Sequence, residues 1–153
     1  MTVAVRQCTY AELEAAPGFA ALLEGYADEA ALNPEWKANP QGGMYEAMEG
    51  SGALHIFGAF DDEMLVGFIL VLVSVLPHFG RRAAVTESFF VAKEARRTGA
   101  GLMLLRRAER LSEEMTAEGL FVSAPTGGVL ADVLEGTEYR ETSRIFFKEV
   151  RRA

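Results

Sequence analysis

Glu87-Ser88-Phe89-Phe90-Val91-Ala92-Lys93-Glu94-Ala95-Arg96-Arg97-Thr98-Gly99-Ala100-Gly101-Leu102 joins an apolar, strand-like run to a helix-like run through a short glycine-bearing loop. The helix-like run continues from Leu102 to Met115. A strand, a loop and a helix start in that order make a ready anion site. The loop N–H groups and the unpaired N–H groups of a first helical turn converge on one point. Glycine at Gly99 and Gly101 lets a ligand approach the backbone, because no Cβ intervenes. The same two glycines also suit a plain tight turn before a helix, so both readings stand on these residues alone. A nucleotide P-loop is excluded, since Leu102 and Met103 follow Gly101 where Lys and Ser/Thr belong. A dinucleotide fingerprint needs a third glycine, and Leu104 occupies that position.

Outward from this stretch, hydrophobic period and breakers give an element order. Thr2–Cys8 reads as a strand, with Thr9 and Glu12 spaced as a capping box. Phe19, Leu22, Leu23 and Tyr26 recur at helical spacing, which predicts a helix over 18–32 with a short turn before it. Asn33–Gly43 is a loop, and Met44–Met48 a short helix. Ala53–Phe60 and Met64–Leu76 form a hairpin about Asp61-Asp62, and Arg82–Val91 is the next strand. A helix over 98–115 follows. Leu120–Ala124 is then a strand, Val129–Glu135 a helix, and Tyr139–Val150 a closing strand or hairpin. In the long helix, Leu102, Leu105, Ala108, Leu111 and Met115 are expected to share the buried side. The order predicts one α/β domain over 1–153, with a mixed sheet flanked by helices.

Composition narrows the function classes. Of 153 residues half are hydrophobic, which argues against disorder. The formal charge of −7 disfavours direct binding to nucleic acid and leaves cationic acceptors open. Cys8 is the only cysteine, so no internal disulfide forms, and a reducing, cytoplasmic location is expected. No secretory signal is evident, and the longest apolar run, Leu65–Leu76, is shorter than the ~20 residues of a membrane helix. His55 and His78 have no neighbouring ligand set, so no metal site is expected.

Arg96-x-x-Gly99-x-Gly101 after a strand resembles the acyl-CoA pyrophosphate loop of the GNAT superfamily of N-acyltransferases. Glu87-x-Phe89-Phe90-Val91 resembles the fourth strand of that family, notably in spermidine/spermine-type acetyltransferases. Leu102-Met103-Leu104-Leu105 resembles the helix after the loop. The likeness is good over roughly residues 53–150 and loose before them. It implies a GNAT-like, mostly antiparallel sheet whose fourth and fifth strands splay apart to admit CoA.

It also implies acetyl-CoA as co-substrate, with Arg96, Arg97, Thr98, Gly99, Ala100, Gly101 and Leu102 at its pyrophosphate. Phe89, Phe90, Val91 and Ser123 would lie along its pantetheine, and the N–H of Val91 or Phe90 would polarise the thioester. Glu87 matches the family's base or water-holding glutamate, with a strand-edge glutamate in a salt bridge as the alternative. Alternation places Glu87 on one strand face with Phe89 and Val91, and Ser88 and Phe90 on the other.

In the family, a tyrosine in a Tyr-x-x-x-Gly-Phe ending protonates the leaving thiolate. Here Tyr139 aligns with the terminal aromatic, Leu134 falls where the acid would sit, and Glu138 replaces the glycine. Tyr139 is therefore a candidate acid only in a shifted alignment, with core packing as the alternative. His78 is a candidate second base or acceptor contact, with an exposed loop role as the alternative. Trp36, Met44 and Tyr45 are candidates for the acceptor pocket, with ordinary packing as the alternative. The implied activity is N-acetyl transfer to a primary amine of a small molecule, peptide or protein. The alternative is a CoA-binding module with little turnover. A homodimer is compatible with either.

Overall fold

The hairpin strands carry apolar residues on both sides and so must be covered on both faces. In the computed structural model, which describes residues 1–151, β2 (Leu54–Asp61) and β3 (Met64–Leu76) lie at the centre of the sheet. β1 (Val3–Cys8) pairs antiparallel with β2, and β4 (Arg81–Val91) antiparallel with β3. β5 (Leu120–Phe121) adds to β4 in parallel, giving the order β1-β2-β3-β4-β5. The sheet is thus mixed and mostly antiparallel, as expected.

One face packs on α4 (Ala100–Glu114), with Phe57, Ile69, Val71, Leu104, Ala108 and Leu111 in its core. The other face carries α1 (Tyr10–Ala15), α2 (Phe19–Ala30) and α3 (Gly42–Gly50), packed on Ile56, Phe60, Leu65, Phe68, Leu70 and Phe90. α5 (Val129–Glu135) follows β5. Thr9 caps α1 as the spacing predicts, its hydroxyl accepting the Glu12 N–H at 3.1 Å. The turn expected before the long N-terminal helix is itself this short helix.

The α4 stripe differs by one position from expectation. Leu104 is fully buried, whereas Leu102 is half exposed. Helical spacing from the buried Ala108 selects Leu104 and Leu111 on the sheet side, and leaves Leu102 at the helix's open end.

Gly18 joins α1 to α2 in the left-handed region, at φ +95°. A Cβ there would lie 2.6 Å from the Leu65 carbonyl oxygen and 2.8 Å from Met64 Sδ. Gly18→Ala is therefore expected to lose about 2–3 kcal/mol in urea unfolding. A loss below about 0.5 kcal/mol would contradict this close approach.

Cys8 is buried, and burial pushes its thiol up to about 11. At pH 8 only about a thousandth would be thiolate. The native protein is expected to stay silent towards a disulfide thiol reagent at that pH, and rapid stoichiometric labelling would contradict the packing around β1.

Two C-terminal expectations fail. β5 stops at Phe121 instead of reaching Ala124, because the Ser123 N–H bonds to the Thr86 hydroxyl at 3.0 Å and leaves the ladder. Residues 138–151 form no strand, although Tyr139–Val150 was expected to. A two-residue β5 offers no ladder for them, and strand propensity is expressed only against a neighbour. Side chains hold this segment instead: Asn33 Nδ2 donates to Glu149 Oε1 at 3.1 Å, and Phe147 meets Trp36 edge to face at 5.8 Å.

Candidate active site

A bulge in β4 decides which way the candidate carboxylate points. Leu70 of β3 pairs with Ser88, and the next β3 residue, Val71, pairs with Thr86, so Glu87 is the extra residue. Phe89 and Val91 keep the α4 face, while Ser88, Phe90 and Glu87 reach the face of α1–α3. Strict alternation had put Glu87 with Phe89 and Val91. The bulge overturns that placement, because it adds one residue between Thr86 and Ser88.

Glu87 enters a cavity of about 270 Å³ between the sheet and α1–α3. The Tyr45 hydroxyl of α3 donates to Glu87 Oε1 at 2.9 Å. Glu87 Oε2 is buried with no partner. Tyr45 stacks on Tyr10, with ring centroids 4.8 Å apart and planes 17° apart. Tyr26 packs edge to face on Phe68 and Phe90 from α2. Burial, and then the Glu87 charge, hold the Tyr45 hydroxyl well above the usual phenol range and raise that of Tyr26 as well. Tyr45 therefore stays protonated through alkaline pH and remains a donor to Glu87. Sequence spacing gave no sign of this pairing, which joins residues 42 apart. Trp36 also lines the cavity, whereas Met44 lies outside it.

The same bulge marks where β4 and β5 part. They pair only at Ala84–Leu120 and Val85–Phe121, and the Thr86 hydroxyl then receives the Ser123 N–H. Beyond that point no described strand covers this edge of β4. The Ala92 N–H bonds to Val66 on β3 at 2.9 Å, so Phe90, two residues earlier, also points its N–H towards β3. The N–H groups of Phe89 and Val91 point to the open edge. Phe90 is thereby removed from the pair of amides considered for the thioester.

After Val91 a 3₁₀ turn, Lys93–Thr98, leads to Gly99 and α4. Gly99 has φ +86° and open space around a would-be Cβ. It brings no side chain to cap α4; only the Ala100 N–H meets a side chain, the Thr98 hydroxyl at 3.3 Å. A Cβ on Gly101 would make ordinary contact, 3.7 Å from Val91 Cγ2. The fold therefore needs glycine at Gly99 but not at Gly101. The first turn of α4 thus sits against the end of the open β4 edge, about 13 Å along the strand from Glu87. An extended ligand, rather than a compact one, spans that distance.

Other predicted residues have different duties. Arg96 is engaged within the chain: its Nε donates to the Val91 carbonyl at 3.0 Å, and a terminal nitrogen meets Glu29 Oε2 at 2.6 Å. Arg97 is exposed beside the loop. Tyr139 lies on the α4 flank, where its hydroxyl donates to Glu109 at 2.7 Å. Burial and that carboxylate hold it above the usual phenol range. His78 is exposed in the β3–β4 turn, edge-on to Phe79, roughly 20 Å along β4 from Glu87. Neither Tyr139 nor His78 lines the Glu87 cavity. Among the described residues, no group of three or more potential metal ligands comes together, and no helix is long and apolar enough to cross a membrane.

Residues 20–127 match the family model for the acetyltransferase (GNAT) family. The chain belongs to the GNAT acetyltransferase family. Structures solved for other proteins carry the same fold across the whole length. A ribosomal-protein-alanine N-acetyltransferase from Brucella melitensis biovar Abortus 2308 superposes with a TM-score of 0.73 at 21% identity, covering 98% of this chain and 100% of that one. The aminoglycoside acetyltransferase meta-AAC0020, from an uncultured soil metagenomic sample, gives 0.74 at 15% identity, covering 97% of each chain. AAC(6')-Iy, solved with the bisubstrate analogue CoA-S-monomethyl-acetylneamine, gives 0.70 at 18% identity, covering 99% of each. A comparison with curated protein sequences finds no match. GNAT acetyltransferases use acetyl-CoA as acetyl donor, and the uncapped α4 terminus with its open β4 edge fits an anionic, extended ligand of that kind.

Proposed function

We propose that this GNAT protein transfers the acetyl group of acetyl-CoA to a primary amine, with Glu87 as the base that prepares the amine. The observation that carries this reading is the bulge, which aims a half-satisfied carboxylate into an aromatic cavity at the start of the open β4 edge.

An alkyl ammonium, with a pKa of about 10, must lose a proton before it can attack. Glu87 Oε2 has no competing partner and can take that proton directly or through water. Tyr45 fixes the carboxylate from its other oxygen. Acetyl-CoA supplies the activated acyl carbon when bound. Gly99, Ala100, Gly101 and Leu102, with Arg97 close by, would hold its pyrophosphate at the head of α4. The N–H groups of Phe89 and Val91 would pair with its amides as an added strand does. The Val91 N–H is our candidate to polarise the thioester oxygen. Arg96 would keep the loop in place through Val91 and Glu29 and make no phosphate contact.

Glu87 passes the ammonium proton on to solvent; as the amine N–C bond forms and the C–S bond breaks, the nitrogen gives up a second proton, which reaches the departing sulfur through solvent. A thiol pKa near 8.5 makes that thiolate a workable leaving group. No tyrosine acid is needed, which fits the engagement of Tyr139 with Glu109.

That same engagement favours a second reading, a CoA-binding module with little turnover. Thiol release from acetyl-CoA over a panel of amines separates the two. Amine-dependent release supports the enzyme. Tight acetyl-CoA binding by calorimetry with no release above background for any amine would leave only the binding module.

A further inference from the structure

We infer that the acceptor is a monoamine on an apolar, ring-sized body, not a polyamine or aminoglycoside. This rests on the reading of Glu87 as the amine's base. The cavity walls carry the argument. Among the residues lining it, Glu87 is the sole acid and Lys37 the sole base. The remaining surface is mainly aromatic or aliphatic, with Tyr10, Phe19, Tyr26, Trp36, Tyr45 and Phe68 as the large rings. Four alanines, Ala27, Ala30, Ala31 and Ala38, keep the α2 side and the following loop shallow and without charge.

One ammonium entering this space finds one carboxylate lining it, with the stacked rings of Tyr10 and Tyr45 beside it. Glu14 and Glu46 approach Tyr10 but do not line the cavity, so a second ammonium held within it would meet apolar wall or the Lys37 cation. Burying it unpaired is costly. An aromatic or alkyl body instead gains burial against Trp36, Tyr26 and Phe68. Trp36 is half exposed at the mouth and is braced from outside by Phe147, so it is placed to cover such a body. Aminoglycoside acetyltransferases share the fold at 15–19% identity, and this cavity is lined by a single carboxylate with which to meet so many cationic centres.

The full-length chain, saturated with acetyl-CoA, is to be assayed by thiol release with 2-phenylethylamine, tryptamine, spermidine and sisomicin. The expected kcat/KM for the two arylalkylamines exceeds that for the two polycations by at least about tenfold. Lys37→Glu, at an exposed position, places a second carboxylate at the mouth. It is expected to shift the ratio of kcat/KM for 1,8-diaminooctane over 2-phenylethylamine upward by about tenfold. Trp36→Ala is expected to raise KM for 2-phenylethylamine by about tenfold while leaving that for methylamine unchanged. Equal or better turnover of spermidine or sisomicin by the unaltered chain would overturn this inference and leave the N-acetyltransferase reading intact. Acetyl-CoA binding without turnover of any of these amines would overturn this inference, and absence of release across the wider amine panel would overturn the N-acetyltransferase reading with it.

Discussion

Gly101→Glu is expected to weaken acetyl-CoA binding by at least about a hundredfold, or ~2.7 kcal/mol, without unfolding the protein. The two halves of that result have separate causes. A side chain at Gly101 has room, since its Cβ would sit 3.7 Å from Val91 Cγ2 with no left-handed φ to strain it. A carboxylate in the first turn also favours the helix, by about 0.3–1 kcal/mol. Thermal stability should therefore hold or rise. Yet the new carboxylate would occupy the place proposed for phosphate oxygens and repel them. Stability and affinity moving in opposite directions is the signature of a ligand site. Unchanged affinity in the folded variant would remove the α4 terminus from the cofactor site.

Glu87→Gln is expected to lower kcat by about 10²–10³-fold, within the range of general-base effects. The amide keeps the side-chain volume and an oxygen for the Tyr45 hydroxyl, so the cavity should persist. Acetyl-CoA affinity should stay within about twofold, because the pyrophosphate site proposed above lies at the other end of β4. The pH dependence adds a sign. Without the base, turnover must draw on the small fraction of free amine already in solution. That fraction grows about tenfold per pH unit up to the amine's pKa near 10. The defect should thus shrink as pH rises from 7 to 9. A variant with full kcat, or with a defect that does not change with pH, would rule Glu87 out as the base.

Much of this arrangement was legible in the chain. The Gly99–Gly101 loop could be read because it sits between an apolar run and an amphipathic one, and that context is local. The central hairpin was equally plain, since Asp61-Asp62 separates two runs rich in apolar residues. What stayed hidden depends on pairing. The bulge at Glu87 has no marker of its own; it appears only when Leu70 and Val71 are set against Ser88 and Thr86. One inserted residue moved the carboxylate to the opposite face of the sheet. The pairing of Arg96 with Glu29, 67 positions away, likewise has no local sign in the chain. Ile145-Phe146-Phe147 reads as a strand by composition, but Ile145 is 91% exposed because no strand is present to pair with it. Tyr45 reads from the chain as either a pocket wall or ordinary packing, and its bond to Glu87 appears only once α3 is docked on the sheet.

The central claim is that the backbone from Gly99 to Leu102 grips the diphosphate while the open β4 edge holds the chain leading to the thioester. Amide NMR during titration with CoA tests this most directly. The account predicts large shifts for the N–H signals of Gly99, Ala100, Gly101, Leu102, Phe89 and Val91, with Phe90 and Ala92 far less affected because their amides bond to β3. Saturable binding that leaves the Gly99–Leu102 signals in place would contradict it.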